Sequence, residues 1–399
     1  MHRRDFLQFS AAAASAGFVL PEAALGHSSA RTNRDSGAPK VLASPPVLQN
    51  PAADAMTIAF AVDTLSTSWV EYGPTPAFGL RAQDTHHGLL SLHHRLHRIR
   101  IENLKPGTKY HYRIAACPID FKGPYKISRG AAVFSEPSTF TTLDEGRLAS
   151  TSFAIINDTH ENADTLKGLA PLLAAVDADL LFWNGDIFND VRSDDQVVGQ
   201  VLRFGADVPY ASSRPLCFVS GNHDVRGIHA RWLGQFLDVP SGRRYYTLRR
   251  GPVGLLILDT GEDKPDTHAV YAGLNDFARY RDEQKRWLET AVKAKEFRTA
   301  PFRVAILHIP LWGNGASEDS RNKWHSLLEQ AGVQVVINGH IHAFSHTPPG
   351  KDHKYAQLIG GGPAPETATL IEGHARGREL ALVVKDLSGK ELGNYQFKA

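Results

Sequence analysis

Cysteine is nearly absent from this chain, two residues in 399, which excludes the disulfide-dense scaffold of a small exported module. Cys117 and Cys217 sit in apolar stretches and read as core thiols, with a single bridge between them as the alternative. An excess of one charge is lacking too. Lys and Arg number 44 against 42 Asp and Glu, a net +2 with histidine neutral. That balance excludes a strongly basic nucleic-acid binder, and no basic stripe with interleaved aromatics appears, so no nucleic-acid partner is expected. No apolar run reaches the roughly 20 residues that span a bilayer. The run Phe6 to Leu20 has 15, interrupted by Gln8, Ser10 and Ser15, and no later stretch comes close. The mature chain should hold no integral membrane segment. Internal repeats are also missing. What remains, 42% apolar and 22% charged residues, is the composition of a globular chain with room for two or three domains.

Residues 1–26 read as an export signal, with Arg3 and Arg4 before the apolar run and the small residues Ala23, Ala24 and Gly26 where cleavage would fall. The run Arg3-Arg4-Asp5-Phe6-Leu7 resembles a bacterial twin-arginine signal, which implies a periplasmic or extracellular protein exported already folded. Residues 27–45, rich in Ser, Ala, Arg and Pro, read as a mobile linker.

From 46 to 145 the pattern is short alternating strands separated by turns: Thr57–Val62, Ser68–Gly73, Leu96–Ile101 and Tyr110–Ala115. The tryptophan strand and the turn Leu104-Lys105-Pro106-Gly107-Thr108 resemble the N-terminal domain of purple acid phosphatases, a fibronectin type III-like sandwich. From 150 to 399 apolar strands alternate with helical stretches, as in a layered α/β domain. Strands are expected at 153–157, 179–183, 216–220, 253–258, 302–307 and 333–337, and helices at 163–176, 280–294 and 320–330. Trp287, Leu288 and Val292 share one helical face and belong to the core. Short β-like runs at 356–359 and 379–384, around the turn Gly360-Gly361-Gly362-Pro363, are expected to close a second sheet.

Five of these strands are followed at once by ligand-type residues: Asp158-Thr159-His160, Asn184-Gly185-Asp186, Gly221-Asn222-His223-Asp224, His308, and Gly339-His340-Ile341-His342. Groups at the carboxyl ends of strands in an α/β sheet converge on one crevice. If these segments are extended, residues two apart aim the same way, so Asp158 pairs with His160 and His340 with His342.

In type, order and strand context this set is similar to the calcineurin-like metallophosphoesterases. The resemblance implies a four-layer α/β/β/α domain preceded by the all-β sandwich, and two metal ions. Asp158, His160, Asp186 and His342 would hold one, while Asp186 would bridge to a second held by Asn222, His308 and His340. His223 would stand beside the substrate phosphate. Imidazole and carboxylate suit Zn, Mn or Fe and leave the metal's identity open. Two carboxylates and a hydroxide contribute roughly three negative charges against at least four positive, so the centre attracts an anion. Asn222 helps here by coordinating without adding charge.

The implied chemistry is attack of an activated hydroxide on phosphorus, with no side-chain nucleophile. His223 would protonate the leaving oxygen or hydrogen-bond the phosphoryl group. Asp224 or Asp190 would orient its imidazole, and Arg226 would clamp phosphate oxygens, with turn-forming and surface roles as the respective alternatives. Purple acid phosphatases carry a tyrosine ligand three residues after the bridging aspartate, where this chain has Asn189, and no histidine at the place of His160. A colourless centre without a ferric requirement is therefore expected.

Other candidates read as structural. His86, His87, His93, His94 and His97 have no carboxylate or Cys at ligand spacing and suit a solvated strand-and-loop face. His346, His353, Trp312 and Asp259 follow the ligand motifs or end a strand. Trp312 is either a leaving-group wall or a packed loop aromatic, and Asp259 reads first as a turn residue. The leading function is an exported phosphoesterase acting on a small-molecule phosphate ester, monoesters favoured. A phosphodiesterase or nucleotidase with the same site is the alternative within the class. A surface binding module with a structural metal is the alternative outside it, weakened because all seven ligand positions are filled.

Overall fold

The computed structural model describes residues 40–144, 146–204 and 208–399. The expected signal and most of the expected linker lie outside the described residues. The last linker residues are seated rather than free: Leu42 bridges Val62, and the Ala43 N–H donates to the Ala61 carbonyl at 2.9 Å.

Two large sheets carry the α/β region. In one, the parallel strands Ser150–Ile156, Leu180–Asn184 and Leu216–Val219 lie side by side, extended by the antiparallel strands Thr369–Arg376, Glu379–Asp386 and Glu391–Lys398. In the other, Val253–Leu258, Phe302–Leu307, Val335–Asn338 and Ala356–Ile359 run parallel. Two-residue periodicity divides the second sheet's apolar side chains between its faces. Val253, Leu255, Ile257, Phe302, Val304, Ile306, Val335 and Ile337 enter the core shared with the first sheet. Leu256, Leu258, Ala305, Leu307 and Val336 instead meet Leu288, Trp324 and Leu328 of the helices Phe277–Ala291 and Glu318–Gln330. The helix Ala163–Ala175, started by Asn162 accepting from the Asp164 and Thr165 N–H groups, lays Leu166, Leu169 and Leu173 on the first sheet. This gives the helix, sheet, sheet, helix order.

The N-terminal β region does not stop short of these layers. Val47–Gln49 runs parallel to Leu216–Val219, and Met56–Ala61 and Leu96–Ile101 follow it, so the first sheet has nine strands and continues into the sandwich. The buried Gln49 side chain pins the junction, donating to the Phe236 carbonyl at 3.0 Å and accepting from the Asp238 N–H at 2.9 Å. Met56, Ile58 and Phe60 point into the sandwich core, and Ala59 and Ala61 into the main core. Strands Ser66–Gly73 and Lys109–Phe121 form the sandwich's second sheet.

Cys117 and Cys217 are both buried and free. Four of the clustered histidines are exposed, as expected of a solvated face, but His97 is not. Its ring stacks on Phe60 at 5.6 Å, its Nε2 lies 3.1 Å from the Ser66 hydroxyl, and burial lowers its pKa from 6.5 to about 4. A histidine whose folded pKa is depressed contributes stability above its unfolded pKa that is lost as pH falls towards the folded value. Between pH 6.5 and 4 the loss should approach about 3 kcal/mol. Urea midpoints at pH 7 and pH 4.5 should therefore separate less in His97→Gln than in the wild type.

Candidate metal centre

All seven expected ligands come together at the carboxyl ends of the strands. Asp158, His160, Asp186 and His342 form one group and Asp186, His308 and His340 another, with the ligand atoms of each group within 4.8 Å of one another. Asp186 belongs to both. Its Oδ2 lies 3.1 Å from His308 Nε2 and 3.4 Å from His160 Nε2, while Oδ1 accepts from the His223 N–H at 2.8 Å. Asn222 Oδ1 sits 2.9 Å from His340 Nδ1, beside the second group.

Convergence is not produced by extended backbone, as the two-residue spacing had led us to expect. Asp158, His160, Asp186, His340 and His342 all have left-handed backbones, with φ of 50°, 44°, 52°, 72° and 58°. Each such non-glycine residue costs of order 1 to 3 kcal/mol and persists only where its surroundings over-determine it. Tight turns replace strand alternation as the aiming device. Two glycines make room for them. A Cβ on Gly339 would stand 2.3 Å from Asp158 Oδ2, and one on Gly221 would stand 2.3 Å from Asp186 Oδ1.

Asp224 holds the turns in place. Its carboxylate, fully buried, accepts from the N–H groups of Asp186 and Gly221 at 2.9 Å, of Ile187 at 3.0 Å and of Phe188 at 3.4 Å. It does not touch the His223 ring, so the expected orienting role is not what its geometry serves. Asp190 is engaged with Arg192 instead. The His223 imidazole is held by a backbone group: Nδ1 lies 2.6 Å from the Asn189 carbonyl, and Arg226 Nη1 lies 2.8 Å from Nε2. Arginine only donates, so Nε2 accepts and the proton sits on Nδ1. Burial, with Arg226 and His160 adding to it, lowers the pKa of this ring.

Arg226 is itself clamped. Its Nε and Nη2 reach Glu262 at 2.8 to 3.1 Å, and Nη2 also reaches Asp263 at 3.0 Å. These two acidic residues escaped the sequence reading. The available signal was their place just past the strand Val253–Leu258, at the same sheet edge as His308. Asn189, at the tyrosine position of purple acid phosphatases, aligns His160: its Oδ1 is 3.2 Å from His160 Nδ1, and its Nδ2 donates to the His160 carbonyl at 3.0 Å.

The remaining candidates lie outside the cluster. Trp312 bonds Tyr355 through its ring N–H at 3.0 Å, beneath Arg321, and is a packed loop aromatic. His346 stacks on Tyr395, and His353 is buried against the Tyr355 carbonyl. Asp259 is fully buried, accepting from the Gly261 N–H and the Tyr280 hydroxyl.

The donor set fits cations. His308 Nδ1 donates to the Asn184 carbonyl at 2.8 Å, which turns the buried Nε2 towards the Asp186 carboxylate at 3.1 Å. His160 Nε2 and His342 Nε2 face each other at 3.1 Å. Burial opposes charge on His308, yet the Asp186 and Asp158 carboxylates raise its pKa to about 10. The same histidines hold the Asp186 carboxyl well below the usual range against its own burial. A proton on His308 thus balances the carboxylates until a metal displaces it.

Residues 151–344 match the calcineurin-like phosphoesterase family model. Among curated proteins the chain is similar to purple acid phosphatase 22 of Arabidopsis thaliana, 27% identical over 274 residues covering 63% of this chain and 53% of that protein. It is similar also to acid phosphatase type 7 of Homo sapiens, 25% identical over 299 residues, covering 71% of this chain and 62% of that protein. The chain thus spans only about half to two thirds of the length of these relatives. Among solved structures, the purple acid phosphatase PPD1 of yellow lupin superposes with a TM-score of 0.66 at 16% identity, covering 88% of this chain and 74% of that one. PhoD superposes with a TM-score of 0.60 at 13% identity, covering 91% and 94%. Residues 151–344 thus form a calcineurin-like phosphoesterase domain, in a chain similar to purple acid phosphatases.

Metal uptake should release protons, about one of them from His308, and apparent affinity should tighten as pH rises from 6 to 8. Titration of the metal-free protein with Zn or Mn, read by calorimetry in buffers of different ionisation enthalpy, measures that release.

Proposed function

We propose that the chain is an exported phosphoesterase that hydrolyses small-molecule phosphate esters, monoesters in preference to diesters. The observation that carries this reading is the Asp186 carboxylate shared between two ligand groups at one sheet edge. In it, Asp158, His160, Asp186 and His342 hold one ion, and Asp186, Asn222, His308 and His340 the other. When bound, two such ions polarise a phosphoryl oxygen and lower the pKa of water from ~15.7 towards ~7.

The chain's own residues bind and orient the ester. Arg226, fixed on its far side by Glu262 and Asp263, offers Nη1 to the phosphoryl oxygens. His223, whose Nδ1 proton goes to the Asn189 carbonyl, takes up a second proton at Nε2 and passes it to the leaving oxygen. Asp224 acts only through the turns it holds. The Asn189 amide aligns His160 and supplies no phenolate, which supports a colourless centre.

Monoester preference is supported by the N-terminal sandwich and by the acid phosphatase names of the relatives. Export rests on the Arg3-Arg4 signal of residues 1–26, followed by the linker 27–45, the β region 46–145 and the hydrolase region 150–399. Among the described residues no helix is long and apolar enough to cross a membrane.

Purified, metal-quantified protein should carry two ions per chain and cleave p-nitrophenyl phosphate with a higher kcat/KM than bis(p-nitrophenyl) phosphate. Asp186→Asn should lose both metal and activity. His223→Ala should keep its metal while kcat falls about 10²- to 10⁴-fold. Two bound ions with no cleavage of either ester, or full activity in Asp186→Asn, would contradict the proposal.

A further inference from the structure

One strand along from the metal centre, a cavity of about 420 Å³ opens beside the loop that carries Arg226. Asp259 lies in its wall, at the end of Val253–Leu258, the strand paired with the one that runs into His308. Val225, between Asp224 and Arg226, forms another part of the wall. None of the proposed metal ligands lines it.

Three guanidinium groups and three aromatic rings dominate the cavity: Arg231, Arg243 and Arg244 with Tyr245, Phe277 and Tyr280. The rings form a continuous edge-to-face wall, Tyr245 to Tyr280 at 5.8 Å and Phe277 to Tyr280 at 6.3 Å. Among the described residues, no carboxylate lies within 4.0 Å of any of the three guanidiniums. Arg244 bonds only neutral oxygens, the Ala230 carbonyl at 3.1 Å and the Ser220 hydroxyl at 3.4 Å.

Three acidic side chains also line the wall, and one of them, Asp259, faces the charge of Arg244. Asp276 pairs with Arg279, Glu283 accepts from the Tyr245 hydroxyl, and Asp259 accepts from the Gly261 N–H and the Tyr280 hydroxyl. Leu274 stands at the rim, 70% exposed. The cavity is therefore lined by three guanidiniums free of salt bridges, three carboxylates and an aromatic wall. Its size suits a ring system, and its guanidiniums without salt-bridge partners suit an anion on that ring.

We propose that this cavity is a second ligand site, for a planar aromatic group that bears an anionic substituent. Arg243 and Arg244 hold the anion, and the Tyr280 and Phe277 rings pack on the ligand's ring. Such a ligand has two sources. It is either the distal part of an extended phosphate ester, which rests on the phosphoesterase reading, or a separate small aromatic anion, which does not.

Naphthalene-1-sulfonate tests the site without involving catalysis, because it has no phosphate ester to cleave. Calorimetry on the metal-loaded protein should show it binding at least tenfold more tightly than uncharged 1-naphthalenemethanol or ring-free sulfate. Arg243→Ala and Arg244→Ala should each weaken it about tenfold, the loss of one charge-assisted contact. Arg244→Lys, which keeps the charge, should retain most of the affinity and guards against a folding defect in the alanine variant. Inhibition of p-nitrophenyl phosphate cleavage then separates the two sources. Competitive inhibition assigns the site to the far end of the substrate, and its absence, or non-competitive inhibition, assigns it to a separate ligand. No preference for the sulfonate over both controls, or unchanged affinity in both alanine variants, overturns the proposal.

Discussion

One carboxylate, that of Asp186, stands between two sets of imidazoles, and the rest of the molecule is arranged around keeping it there. Its Oδ2 faces His308 and His160, and its Oδ1 is held by the His223 N–H. A carboxylate this buried is costly unless positive charge or hydrogen-bond donors surround it. Protonated His308 meets that need in the metal-free chain, and a metal ion meets it better. The same electrostatic demand that stabilises the fold at this point therefore selects for cation binding.

Asp224 plays the matching role one layer back. Its four backbone contacts tie the turn after Leu180–Asn184 to the turn after Leu216–Val219. Five candidate ligand residues in left-handed backbone represent stored strain that a loose loop would relax. Glycines at 221 and 339 admit the close approach, and buried hydrogen bonds hold it. Positioning at this site comes from loop geometry built on rigid strand ends, as in other sites that a parallel sheet presents at its edge.

The ligand types and their strand-end placement were legible in the sequence, because apolar strands of five or six residues announce themselves and the polar residues after them stand out. Strands 253–258 and 302–307 match their expected limits. The mechanism of convergence was not legible, since left-handed φ at Asp and His leaves no mark in residue order. Nor was the Arg226 clamp: Glu262 and Asp263 look like ordinary loop acids until folding brings them to Arg226, 36 and 37 positions away. The role expected of Asp224 failed for a related reason. Adjacency to His223 says nothing of which way a side chain points in a turn. The sandwich was readable as strands, but its continuity with the α/β sheet rests on Gln49 meeting residues 187 and 189 positions distant. Strands 369–376 and 391–398 were missed, the latter because only alternate residues are even partly covered.

Asn189 and His160 mark where the chain leaves the purple acid phosphatase pattern, and the two departures are coupled through a hydrogen bond. An amide at 189 both removes a phenolate and fixes the tautomer of the imidazole beside it. The central claim, two cations joined by one shared carboxylate, is tested most directly by anomalous diffraction from metal-loaded crystals. The account predicts two peaks about 3.5 to 4 Å apart with the Asp186 carboxylate between them. A single peak, or a pair that Asp186 does not join, would contradict it.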